Sequence, residues 1–161
     1  MKEPSRKVGE NSSLTPFLSL TVQFDVAADA LPRRATLRRW VAAAAARDLS
    51  ITLRFVGARE GRRLNARYRN RDYVTNVLTF VYDDVVPRAG DIVVCVPVVT
   101  REARAQGKTV RAHLAHLIVH GMLHLQGYDH ERGADAARME AREVALLARL
   151  GYRDPYADRV S

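Results

Sequence analysis

Cysteine is nearly absent: Cys95 is the only one in 161 residues. No intrachain disulfide can form, and a structural metal site closed by several thiolates is excluded. Cys95 lies in the apolar run IVVCV, where a buried thiol behaves as a small hydrophobe in a reducing compartment. Long apolar runs are also missing. None approaches the ~18 residues of a membrane span, so a membrane partner is not expected. The first 15 residues, MKEPSRKVGENSSLT, contain no apolar core of a secretory signal. The expectation is a flexible tail over residues 1–16, a cytoplasmic location and one domain over residues 17–157. Internal repeats and linkers are absent too. A chain of this length is about one domain and buries roughly two-thirds of its unfolded surface without help from a disulfide or metal.

Acidic residues are the minority. Asp and Glu number 18 against 26 Lys and Arg, a formal net charge of +8, and nearly all the positive charge is arginine. The planar guanidinium suits phosphate oxygens, so a nucleic-acid partner is plausible, although solvated surface charge alone can produce the same balance. The charge is concentrated in residues 59–71, REGRRLNARYRNR, with six arginines and one glutamate. Leu64 and Tyr68 stand one helical turn apart there, which predicts a basic helix docked by those two side chains.

What is present is strong periodicity. LSLTVQFDV alternates as a half-buried strand, and Leu37, Trp40, Val41 and Ala44 repeat at helical spacing ahead of an alanine run. ITLRFVG alternates again, so strand, helix and strand predict a parallel pair joined by a crossover. Two further apolar runs, VLTFVY and DIVVCVPVV, read as strands separated by a Pro-Arg-Ala-Gly turn. TREARAQG, VRAHLAHLIVHGMLHLQG and ADAARMEAREVALLARLG read as helices, two of them stopping at glycine. The predicted fold is a single α+β domain with a small mixed four-stranded sheet packed with helices.

His113, His116, His120 and His124 fall within a stripe about 80° wide on one of those helices. His113 and His116, taken singly, read as satisfied core residues. His120 and His124 lie on adjacent turns and can converge on one ion. Gly127 permits a sharp turn after the helix, and His130 can then return to the same point. Three imidazoles leave a fourth position open, as in a catalytic rather than a structural zinc site. The spacing HxxxHxxGxxH is also that of metzincin proteases, which place a glutamate after the first histidine as general base. Here that position is Gly121, which cannot take a proton, so peptide hydrolysis by the usual route is disfavoured.

HGMLHLQGYDH resembles the signature of the bacterial YbeY endoribonucleases, the ribosomal RNA maturation factors. YRNRDYVTNVLTF is similar to that family's Tyr-Arg-x-x-Asp-x-x-Thr-Asn-Val-Leu-Ser-Phe segment, and GDIVVC and GYRDPY resemble two further markers. The likeness runs from about Leu18 to Tyr156, with Thr79 where the family favours serine and Val81 where it favours proline. It implies one zinc ion per chain held by His120, His124 and His130. It also implies action on single-stranded RNA in maturation of the 3′ end of small-subunit rRNA and in ribosome quality control, with no DNA substrate. Arg69 falls on the family's functional arginine, and with His120 it is assigned a catalytic role.

Arg69, Arg71, Thr75 and Asn76 are the candidate substrate contacts; Thr75 and Asn76 can equally cap the turn before their strand. Asp129, beside a ligand, is a candidate to orient an imidazole. Glu143 lies on the apolar face of the last helix, where a carboxylate needs a partner. His113, His116 or Arg69 is that expected partner, in a shell supporting the metal site. Two other readings stay open: a metal-stabilised ribosome-assembly factor that binds rRNA without turnover, and a metzincin-like metalloprotease.

Overall fold

A computed structural model describes residues 15–69, 75–82, 84–128 and 133–157. The alternating segment LSLTVQF forms β1 (Leu18–Phe24), whose leucines, valine and phenylalanine turn to the protein while its polar residues face outward. α1 (Arg34–Ala44) buries Leu37, Trp40, Val41 and Ala44, the four residues at helical spacing. β2 (Leu49–Val56) follows and pairs in parallel with β1, Leu18 opposite Leu49 and Phe24 opposite Phe55. Then come α2 (Ala58–Arg69), β3 (Val77–Tyr82), β4 (Arg88–Cys95), α3 (Val96–Ala105), α4 (Val110–Leu125) and α5 (Gly133–Arg149). The sheet order is β1-β2-β4-β3, with β4 parallel to β2 and β3 antiparallel along the outer side of β4. This is the single α+β domain with a mixed four-stranded sheet that the periodicity predicts. The tail expected over residues 1–16 lies mostly outside the described residues.

Three local expectations are corrected. DIVVCVPVV is not one strand: the strand ends at Cys95, and VPVV opens α3 with Pro97 in its first turn. Proline has no N–H for a ladder, and its fixed φ suits a helix start. At the other end, Arg88, Ala89 and Gly90 belong to β4 and pair with Leu49, Ser50 and Ile51 rather than forming the turn. A Cβ at Gly90 would lie 2.6 Å from Leu125 Cδ2 and 2.8 Å from the Phe80 carbonyl oxygen. Glycine there is therefore a close-approach residue, letting α4 and β3 both close on β4. Tyr68, expected as a buried anchor of α2, is 54 % exposed, whereas its companion Leu64 is buried. The helix docks through Leu64, and the tyrosine ring rests edge-on against Phe80.

The two sheet faces are covered unequally. Leu53, Phe55, Ile92 and Val94 pack with Trp40, Leu114, Ile118 and Met122 in the larger core. On the opposite face Val56, Leu78, Val93 and Cys95 form a smaller cluster with Leu64 and Val98, and Phe80 packs against it. α4 is the central helix, buried along most of its circumference. Its start is capped by Thr109, whose Oγ1 accepts from Ala112 N at 3.0 Å. Its end is held by Gln126, whose side chain accepts from Ala46 N at 2.8 Å and donates to Ala44 O and Met122 O. Gly107, Gly127 and Gly151 take positive φ after α3, α4 and α5, so all three helices, not two, close at glycine.

Candidate metal centre

α4 has so few polar side chains that the histidine stripe decides what this helix does besides packing. His113 is buried, and its Nε2 lies 2.9 Å from Glu102 Oε1 on α3. Asn76 Nδ2 donates to the same oxygen at 3.0 Å. His116 Nε2 lies 3.1 Å from Glu143 Oε1 and 3.2 Å from the Tyr156 hydroxyl. His120 Nδ1 lies 2.5 Å from Glu143 Oε2. The Tyr156 hydroxyl also donates to Glu143 Oε1. Glu143 is 0 % exposed on the inner stripe of α5, beside Met139, Leu146 and Leu147. One buried carboxylate thus gathers two histidines of α4 and one tyrosine from beyond α5.

The charge state follows. Burial pushes the Glu143 carboxyl up, but hydrogen bonds from His116, His120 and Tyr156 outweigh it and hold the group down at about 2. An ionised Glu143 can only accept, so a neutral His120 ring carries its proton on Nδ1. That tautomer is the one a metal-ligating histidine needs, its other nitrogen tied to a carboxylate. For His113, burial is the dominant influence and lowers the ring pKa, while the Glu102 hydrogen bond opposes it.

The donor set therefore suits a divalent ion: His120 has one ring nitrogen held by a carboxylate, and His124 follows one turn later on the same helix. The remaining expected ligand, His130, lies outside the described residues, as do Asp129 and Arg71. Among the described residues no group of three His, Cys, Asp or Glu side chains forms a metal cluster. Arg69 is the last residue of α2, and its side chain lies outside the description. Thr75 is half-buried before β3. Asn76 accepts from Cys95 N at 2.9 Å through its main-chain carbonyl, and its side-chain Nδ2 donates to Glu102 Oε1 at 3.0 Å.

Sequence reasoning missed Glu102 and Tyr156. Glu102 stands among exposed residues of α3 with nothing local to mark it. Tyr156 was visible in GYRDPY only as part of a marker; the turn that returns it to Glu143 includes Tyr156 N donating to Asp154 Oδ1 at 2.7 Å. A cavity of about 940 Å³ runs beside the N-terminal half of the stripe, with Asn76, Glu102, Lys108, His113, His116 and Tyr156 in its walls. At Gly121, an added Cβ would lie 3.2 Å from Thr79 Cγ2 and 3.4 Å from Ile92. The position where a metzincin carries its glutamate faces the sheet here and has no room for one.

Comparison with known proteins identifies the family. A family profile described as Endoribonuclease YbeY matches residues 25–151. A protein of Aromatoleum aromaticum named Endoribonuclease YbeY is 57 % identical over 143 residues, covering 87 % of this chain and 93 % of its own length. One of Thiobacillus denitrificans with the same name is 56 % identical over 145 residues, covering 89 % and 99 %. A solution structure of a Thermotoga maritima protein aligns with a TM-score of 0.57 at 27 % identity, over 80 % of this chain and 86 % of that one. With so much of its length matched at such identity, the chain belongs to the endoribonuclease YbeY family.

Proposed function

We propose that this protein is a metal-dependent endoribonuclease cleaving single-stranded RNA, acting in the cytoplasm on the 3′ end of small-subunit rRNA and in ribosome quality control. The observation that carries the metal reading is the His120–Glu143 pair, a buried carboxylate on one ring nitrogen of a histidine that stands one turn from His124. His120, His124 and His130 would hold a zinc ion. Bound there, it supplies Lewis-acid polarisation of a phosphoryl oxygen and lowers the pKa of a coordinated group, without a carboxylate base at position 121.

The chain's own residues supply the rest. Arg69, at the end of a basic helix, neutralises charge building on the phosphate, with Arg71, Thr75 and Asn76 as further substrate contacts. Glu102 holds the Asn76 side chain in place by accepting from its Nδ2. Glu143 and Tyr156 fix His120, and Asp129 orients a ligand imidazole through its second nitrogen. The cavity beside His113 and His116 opens along the stripe and admits a strand approaching the ligands. Peptide hydrolysis is disfavoured because a side chain at position 121 meets Thr79 and Ile92.

The test is a cleavage time course on single-stranded precursor RNA spanning the 3′ end of small-subunit rRNA, with wild type and His124→Ala purified identically. Cleavage by the wild type that is lost in the variant and on chelation is expected. Equal cleavage by both would expose a contaminant. No cleavage by either, with salt-sensitive binding retained, would transfer the reading to a non-catalytic assembly factor.

A further inference from the structure

Among the described residues, the face of the sheet away from α4 is covered at one end, where Leu64 of α2 sits over Val93 and Leu78. The remainder is a groove of about 860 Å³ between α2 and the strands. Gln23, Thr52 and Asp91 contribute polar groups to its floor, and Phe80 an aromatic one. Two tyrosines stand on it unusually open to solvent: Tyr68 is 54 % and Tyr82 43 % exposed. Neither ring is loose. Tyr68 sits edge-on to Phe80 with centroids 5.1 Å apart, and Tyr82 donates its hydroxyl to Asp91 Oδ2 at 2.7 Å.

The rim beside the rings is arginine. Arg67 Cζ lies 5.4 Å from the Tyr68 ring centroid. One turn earlier Arg63 pairs with Glu60 at 2.8 Å, and Glu60 pairs in turn with Arg54 at 3.1 Å from the sheet. Glu60 is thereby occupied twice, and α2 as a whole carries five arginines against that one carboxylate. Fixed aromatic planes beside guanidinium groups, over a floor of amide, hydroxyl and carboxylate, are the ingredients with which open sheets hold single-stranded nucleic acid. A duplex would not expose base faces to those rings. An apolar protein segment would offer Gln23, Thr52, Arg54 and Asp91 no polar partner of its own.

We propose that this open face is a second binding surface for single-stranded RNA, with bases stacking on Tyr68 and Tyr82 and phosphates drawn to Arg67. The proposal rests on the endoribonuclease reading for its choice of nucleic acid. The path between the two faces is short. Phe80 faces the groove, while Thr79, the preceding residue of the edge strand β3, lies under Gly121 of α4, the neighbour of His120. A strand rounding the outer edge of β3 therefore passes from the groove to the histidine face, so the groove grips RNA flanking the cleaved bond.

The experiment is fluorescence anisotropy of the full-length, metal-loaded protein with a single-stranded 2′-O-methyl RNA of about 12 nucleotides, within the span of known single-strand sites, recovered intact after measurement. Tyr68→Ala and Tyr82→Ala are each expected to weaken binding about tenfold, and Tyr68→Phe and Tyr82→Phe to stay within about twofold. Arg67→Glu should weaken it and flatten its salt dependence. Cleavage of a dinucleotide should be unchanged in all of them. Circular dichroism melting identifies any variant that fails to fold, in which case Arg67→Glu and the remaining tyrosine carry the test. Alanine variants binding as wild type, or phenylalanine variants as weak as alanine ones, would overturn the proposal. Absence of RNA cleavage by the wild type would count against the endoribonuclease reading alone, because affinity is measured without turnover.

Discussion

Gly121 of α4 lies directly over Thr79 of β3, so close that a Cβ on the glycine would come within 3.2 Å of the threonine methyl. The helix carrying the histidines is seated on the sheet by the absence of a side chain. Gly121→Ala should raise helix propensity by about 1 kcal/mol yet lose about 1–3 kcal/mol to overpacking, leaving the protein net less stable. Thr79→Ser removes the methyl in question and should restore much of the loss in the double variant. Urea unfolding of the four proteins measures this coupling; additive effects would refute the contact as the cause.

Glu143 should govern metal affinity more than any residue that is not itself a ligand. Glu143→Gln keeps the shape but weakens the acceptor for His120 Nδ1–H, and a 10- to 100-fold drop in zinc affinity is expected. Tyr156→Phe removes one donor to the same carboxylate and should have a smaller effect in the same direction. Competition titration against a chromophoric chelator reads both, and an unchanged affinity in Glu143→Gln would remove the carboxylate from any role in orienting the ligand.

His113 makes stability depend on pH. Burial lowers its pKa below the unfolded value of about 6.5. Three groups face it: Glu102 on α3 favours its charged form, while Lys108 before α4 and His116 on α4 disfavour it. The folded state therefore binds fewer protons than the unfolded one between the lowered pKa and 6.5, so this contribution is complete above that window and lost as pH falls through it. His113→Gln can still donate to Glu102 but does not titrate. Between about pH 8 and pH 5, its chemical-denaturation stability should fall less steeply than that of wild type. Parallel slopes would rule the residue out as the origin.

Gln126 joins the ends of α1 and α4 through three hydrogen bonds of 2.8, 2.8 and 2.9 Å. Gln126→Ala leaves Ala46 N–H and the Ala44 carbonyl without that partner and should cost about 1–3 kcal/mol. Because Gln126 immediately precedes Gly127 and the turn leading to His130, metal affinity should fall with stability. A thermal shift on zinc addition that matches wild type would show that this anchor serves the fold alone.

Much of the architecture was legible because burial imposes a period. Alternation in LSLTVQF and helical spacing of Leu37, Trp40, Val41 and Ala44 report which face of an element meets the core, and those elements formed as read. Boundaries were misread where one residue serves two structures. Pro97 ends a strand by starting a helix, and Gly90 is a strand residue because two neighbours crowd it. Neither fact is visible locally.

The sequence by itself determined the single α+β domain, the mixed sheet, the histidine spacing on one helix face and the family. All of these depend on the order and period of residues along the chain. Tertiary structure alone decided that Glu143 holds His116 and His120 while His113 turns to Glu102. It also brought Tyr156 back to that carboxylate and left Tyr68 exposed above an open sheet. A buried polar group must find a partner, but which partner depends on how α3, α4 and α5 are juxtaposed. That packing is fixed by side chains far apart in the chain, so only the folded molecule discloses it.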